Sequence, residues 1–171
     1  DAGTGSGSSG RVTASPIVYG DLIYVLDAES QVSALSTAGG KVAWRGSLKP
    51  DRENASGAWY SLGSSSEKGG YGGGLAIDQG RLYAASGFGN VVALDPVSGK
   101  KLWERQLEAP VRASPTAAGG NVYVVTLDGR FYCLAGADGG VLWSARGLPQ
   151  QASLINNASP AVEGSVVAVP Y

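Results

Sequence analysis

The sequence predicts an all-β chain of short antiparallel strands, and three observations lead there. Glycine makes up 27 of the 171 residues while hydrophobic residues stay at 43%, which suits many short strands joined by tight turns and suits neither a disordered chain nor a helical bundle. One skeleton recurs three times without gaps: Ala14–Trp44, Gly73–Trp103 and Ala113–Trp143. Stretches such as Leu22–Leu26 and Val122–Leu127 are apolar at odd and even positions alike, so they call for cover on both faces.

The repeats are defined by fixed landmarks. An early Pro or Leu (Pro16, Leu75, Pro115) lies 8 residues before a Tyr (Tyr24, Tyr83, Tyr123). A Leu follows 11 later (Leu35, Leu94, Leu134), and a Trp 9 after that (Trp44, Trp103, Trp143). Within the third copy four apolar stretches stand out: Pro115–Ala118, Asn121–Leu127, Arg130–Leu134 and Val141–Ala145. The signals between them are Gly119-Gly120, Asp128-Gly129 and the Gly136–Gly140 segment, residues that supply the positive φ of tight hairpins. A repeat of four strands that needs neighbours on both faces is a propeller blade. The blades are expected over about 14–48, 73–107 and 113–148, with a further one begun at 158–171. In each blade the Trp closes the last strand, where its flat ring fills the gap to the adjacent blade.

Two connections break the period. The first and second Trp are 59 residues apart and the second and third 40 apart, so an insertion over 49–72 separates the first two blades. It is polar and Gly/Ser-rich and carries Trp59 and Tyr60. A smaller surplus, Gly147–Asn157, precedes the fourth start. The Gly/Ser-rich first ten residues read as a lead-in strand or linker. Three blades and part of another do not close a ring. The expectation is a piece of a larger propeller whose open blade edges make the isolated piece self-associate.

Absences exclude whole classes of chemistry. The chain has no His and one Cys, so a Ser-His-Asp or Cys-His machine and the common zinc sites cannot be built from these residues. Thirteen basic against fourteen acidic residues give no electrostatic footprint for nucleic acid. No apolar run approaches the roughly 20 residues that span a bilayer. The Gly5–Gly10 stretch matches G-x-G-x-x-G but lacks the preceding strand and following helix of a dinucleotide site. Asp27, Asp95, Asp128 and Asp138 fall at turns, where Asp caps backbone N–H groups. Cys133 lies among apolar strand residues and reads as core. The expectation is a protein that is not an enzyme, with no catalytic, cofactor-binding or metal-binding residues.

Binding then falls to loops held by rigid blades. Leu154 and Ile155 are adjacent large apolar residues in an otherwise polar connection, a pattern that marks partner contacts. Asn156 and Asn157 beside them can hydrogen-bond to a partner's backbone.

The skeleton SPxVxxGxxYVxxxxGxxxALxxxxGxxxW resembles the PQQ-type propeller repeat, shared by quinoprotein dehydrogenases and the family of the outer-membrane protein assembly factor BamB. The order of irregularities is similar to the latter: a Gly-rich lead-in, a long insertion after the first repeat, two closely spaced repeats, then a longer loop before ASP at Ala158–Pro160. That resemblance implies a non-catalytic scaffold without cofactor, lipid-anchored on the periplasmic side of the bacterial outer membrane. It implies binding to the POTRA region of a BamA-like barrel-insertion protein, with Leu154 at the apolar family position and Ile155 where the family pattern has a basic residue. The alternatives are a fragment of a PQQ-dependent dehydrogenase, whose adjacent Cys pair and calcium site are not visible here, or of an extracytoplasmic binding or sensor propeller.

Overall fold

The computed structural model describes residues 14–49, 72–111, 113–147 and 158–169. The described residues contain no helix and form three four-stranded antiparallel sheets and a two-stranded one. The first blade runs β1 Ile17–Tyr19, β2 Leu22–Leu26, β3 Gln31–Ser36 and β4 Val42–Ser47. The second runs β5 Gly73–Asp78, β6 Arg81–Ser86, β7 Asn90–Leu94 and β8 Lys101–Gln106. The third runs β9 Thr116–Ala118, β10 Asn121–Val125, β11 Arg130–Ala135 and β12 Val141–Arg146. A hairpin of β13 Ala161–Glu163 and β14 Val166–Ala168 opens a fourth. Every sheet is a plain meander in chain order, the arrangement that short hairpin turns enforce. The array is a partial, open β-propeller.

Turn chemistry fixes the meander. In the first hairpins of the second and third blades, Gln79–Gly80 and Gly119–Gly120 both hold two consecutive positive φ values, the type I′ geometry that matches strand twist. β10 ends at Val125, two residues earlier than the sequence pattern predicts. Thr126 is drawn into the turn, its N–H donating to the Arg130 carbonyl at 2.9 Å and its hydroxyl bonded to Asp128. A register shift recurs beside the residue that pairs with each blade Trp: Ala34/Leu35, Ala93/Leu94 and Cys133/Leu134. Such bulges bend the outer strand and increase its twist.

The core lies between the sheets. Tyr24, Leu26, Val32 and Ala34 of the first blade meet Leu82, Ala84, Val92 and Leu94 of the second. The opposite face of the second blade, with Tyr83, Ala85, Val91 and Ala93, meets Val122, Val124, Tyr132 and Leu134. β6 and β7 thus bury both their faces, which explains why they lack alternation. Tyr123, Phe131 and Cys133 on the far face of the third blade are covered by Val162, Val167 and Val169 around the β13–β14 hairpin. The outer strands behave differently: β4 and β8 are partly covered, while β12, followed among the described residues by two strands only, is exposed along its whole length.

Candidate partner-binding face

In a meander, the turn between the second and third strands and the exit from the fourth lie at the same end of the blade. Hydrogen bonds fasten these features together in the same way three times. The N–H of Leu48 donates to the Ser30 carbonyl at 2.8 Å, that of Leu107 to Gly89 at 2.8 Å, and that of Gly147 to Gly129 at 2.9 Å. One end of the array therefore gathers the turns 27–30, 86–89 and 126–129 together with every interblade connection.

Further ties on this face run from each connection to the following blade. Asn90 is fully buried; its Nδ2 donates to the Leu48 carbonyl at 2.7 Å and to Glu104 Oε1 at 3.0 Å, and its Oδ1 accepts from the Ser86 hydroxyl. Leu127 N–H donates to the Pro110 carbonyl at 2.8 Å. Arg130 pairs with Glu108 at 2.8 Å and lies 3.8 Å from Asp128. Lys49 and Glu29 approach to 4.0 Å. The face carries both signs of charge, with Leu127 exposed at 45% among them. Sequence reasoning missed Asn90. The available signal was a polar residue at the start of an otherwise apolar third strand, matched by Gln31 and Arg130 in the other blades.

The connection nominated from sequence departs from this face. Leu154, Ile155, Asn156 and Asn157 themselves lie outside the described residues, as do Trp59, Tyr60 and the Gly5–Gly10 stretch. The stems are described: Gly147 is bonded to the Asp128-Gly129 turn, and Pro160 offers its carbonyl to the hydroxyl of Thr116 on β9. The two stems thus lie at the exit of β12 and beside β9, just ahead of β13.

Toward the opposite end of the strands, Trp44 and Trp103 lie over the turns between the third and fourth strands of the following blade. The Trp44 indole N–H donates to the Pro96 carbonyl of the next blade at 2.9 Å, and the Tyr24 hydroxyl to the same oxygen at 3.1 Å. Trp103 and Tyr83 do likewise to the Gly136 carbonyl, at 2.9 and 3.3 Å. Trp143 packs on Phe131 with ring centroids 5.3 Å apart.

The turn carboxylates have structural partners. Asp27 Oδ1 accepts from the N–H groups of Glu29 and Gln31, Asp95 Oδ1 from that of Ser98, and Asp138 Oδ1 from that of Gly140, at 2.7–2.9 Å. The Ser98 hydroxyl and N–H hold the Asp95 carboxyl below its ordinary value. Burial raises the Cys133 thiol, which keeps it in the unreactive protonated form. Burial likewise raises Tyr24, Tyr83 and Tyr132. Among the described residues no group of three or more His, Cys, Asp or Glu side chains is placed to hold a metal ion, and no helix is long and apolar enough to cross a membrane.

The family described as outer membrane protein assembly factor BamB matches residues 2–65 and 51–171. The chain belongs to that family. It is 28% identical over 141 residues to the outer membrane protein assembly factor BamB of Burkholderia pseudomallei, covering 82% of this chain and 32% of that protein. It is 25% identical over 167 residues to an uncharacterized protein of Rickettsia prowazekii, covering 97% and 37%. The crystal structure of BamB from Moraxella catarrhalis superposes with a TM-score of 0.71 at 20% identity, over 90% of this chain and 41% of that one, which is a likeness of fold. The shared repeat also reaches the 1-butanol dehydrogenase (cytochrome c) of Thauera butanivorans, 33% identical over 98 residues, 57% of this chain and 13% of that enzyme. The chain spans about a third of the length of these two curated relatives.

Proposed function

We propose that this chain is part of a non-catalytic scaffold for outer-membrane protein assembly. Its connection 148–157 docks on the POTRA region of a BamA-like barrel-insertion protein. In this reading the whole protein is a lipoprotein on the periplasmic side of the outer membrane. The observation that carries the reading is the rigid framing of that connection. Its first stem is hydrogen-bonded to a turn and its second to an inner strand, and fixed stems lower the ordering cost of a loop that binds. Blades that bury both faces cannot reshape on binding, so the partner is held in register.

The test is a titration of the full-length protein against the purified POTRA region of its cognate barrel-insertion protein. Saturable binding is expected. The double change Leu154→Asp and Ile155→Asp is expected to weaken it about tenfold or more with the unfolding transition unchanged. Unaltered affinity would remove the loop from the interface. The match to quinoprotein dehydrogenases makes a second reading testable in the same experiment: PQQ with calcium is titrated in parallel. Quinone binding without POTRA binding would move the protein to the dehydrogenase class.

A further inference from the structure

The 126–129 turn of the third blade is tied to itself and to both neighbouring connections. Thr126 N–H donates to the Arg130 carbonyl at 2.9 Å, and Gly129 N–H back to the Thr126 carbonyl at 3.0 Å. The Thr126 hydroxyl reaches Asp128 Oδ1 at 2.6 Å and the Arg130 carbonyl at 2.8 Å. The preceding connection is fastened through Leu127 N–H on the Pro110 carbonyl at 2.8 Å and a bridge between Val111 and Thr126. The following one leaves from Gly147, whose N–H donates to the Gly129 carbonyl at 2.9 Å. From this fixed backbone Leu127 stands 45% exposed. The turn itself calls for no large apolar group there. The corresponding residues of the first and second blades are Ala28 and Gly87, and their turns hold their exits in the same way, Leu48 N–H on Ser30 and Leu107 N–H on Gly89. Phe88, the other large apolar residue of these turns, is half-buried. Of the three blades, only the one whose exit leads into 148–157 carries a leucine at this position.

We propose that Leu127 is a partner-binding anchor that enters an apolar depression on the same protein that receives the 148–157 connection, with a basic group of that protein facing Glu108 and Asp128. The inference rests on the reading that this connection docks on the POTRA region, and it extends that contact onto the rigid blade. Continuity supports it: the residue at the exit of β12 is hydrogen-bonded to Gly129, two positions from Leu127. An exposed leucine gains little from folding because its apolar surface stays in water; burial against a partner recovers that surface. The cost of ordering is small, since the backbone is already fixed and one short side chain remains to be placed. Charges ring the position. Arg130 pairs with Glu108 at 2.8 Å and lies 3.8 Å from Asp128, and one guanidinium between two carboxylates leaves a surplus of negative charge. An apolar centre inside a charged rim is the layout of an interface anchor, and the sign of the rim favours a basic group opposite it.

The test titrates the full-length protein and its variants against the purified POTRA region. Leu127→Ala installs the residue that the first blade already has at this position, so Tm is expected to stay unchanged. Affinity is expected to fall about fivefold or more. Leu102, near the start of β8 and away from this face, is also 45% exposed, and Leu102→Ala is expected to bind as the unmodified protein does. Glu108→Gln is expected to flatten the fall in affinity with rising ionic strength, because it removes one of the two carboxylates that face the basic group. Unchanged affinity for Leu127→Ala, or equal losses for Leu127→Ala and Leu102→Ala, would overturn the inference, while the double change at Leu154 and Ile155 still decides the loop reading. A loss with Leu127→Ala beside an unaffected double change would uphold the inference and centre the interface on the turn. A salt slope that Glu108→Gln leaves unaltered would strike the basic group from it. Absence of any saturable binding to the POTRA region would overturn the inference and the reading together.

Discussion

Asn90 occupies a position where a polar side chain is fully buried, and such a group is tolerable only when its hydrogen bonds are made. Its partners, the Leu48 carbonyl, Glu104 and Ser86, join a connection to a blade and fix where the first blade ends. Glu104 completes the group. Burial alone would raise its carboxyl, but the hydrogen bonds from Lys101 and Asn90 and the Lys101 charge together bring it below the ordinary value of 4.5. As pH falls, the unfolded chain takes up the proton first, so stability declines. The Glu104 contribution is complete above about pH 4.5 and is lost as pH falls through the lowered folded value. Glu104→Gln is expected to flatten the acid limb of the stability curve, read from denaturant midpoints across that range. An unchanged slope would show that Glu104 carries none of the linkage.

At the scale of the strand, the outer strands of the first two blades reach the next blade through a Trp, joined on β8 by Arg105, whose Nε donates to the Gly139 carbonyl at 2.8 Å. Trp103 on β8 reaches the Gly136 carbonyl and lies tilted against Tyr83, centroids 6.0 Å apart. Trp103→Phe keeps an aromatic body and loses the N–H, while Tyr83 still serves the carbonyl at 3.3 Å. The expected cost is about 1–2 kcal/mol. Trp103→Ala also leaves a void against Gly139 and is expected to cost about 3–5 kcal/mol. Denaturant titration separates the two, and equal losses would mean that the ring's packing contributes little. The same geometry gives Gly139 two reasons to be glycine: the positive φ of its turn and the approach of the indole.

Taken whole, the array is quasi-one-dimensional: each blade is attached chiefly to its neighbours, so stability sums over blades and interfaces. Trp44→Ala weakens the junction between the first and second blades while the second-to-third core of Tyr83, Val91, Val122 and Leu134 is untouched. Hydrogen exchange in the full-length protein is therefore expected to quicken in β2 and β3 well before β10 and β11. Uniform quickening would show that the blades open as one cooperative unit.

What the sequence determined by itself was the local order: the Pro–Tyr–Leu–Trp landmarks, the Gly-bearing turns and the strands apolar at both parities. Each is a short-range rule, carried by φ preferences and by the side-chain period of a strand, and three repetitions make such rules unambiguous. The turn carboxylates Asp27, Asp95 and Asp138 belong here too, since their partners lie within four residues. The tertiary structure decided the attachments. Asn90 to Leu48 spans 42 residues and Trp44 to Pro96 spans 52, and nothing local in a polar strand start or a turn carbonyl names so distant a partner. Likewise the Leu154–Asn157 connection could be chosen from composition. The face that its described stem Gly147 leaves from follows only from how a meander returns its fourth strand to the end where its second one turned.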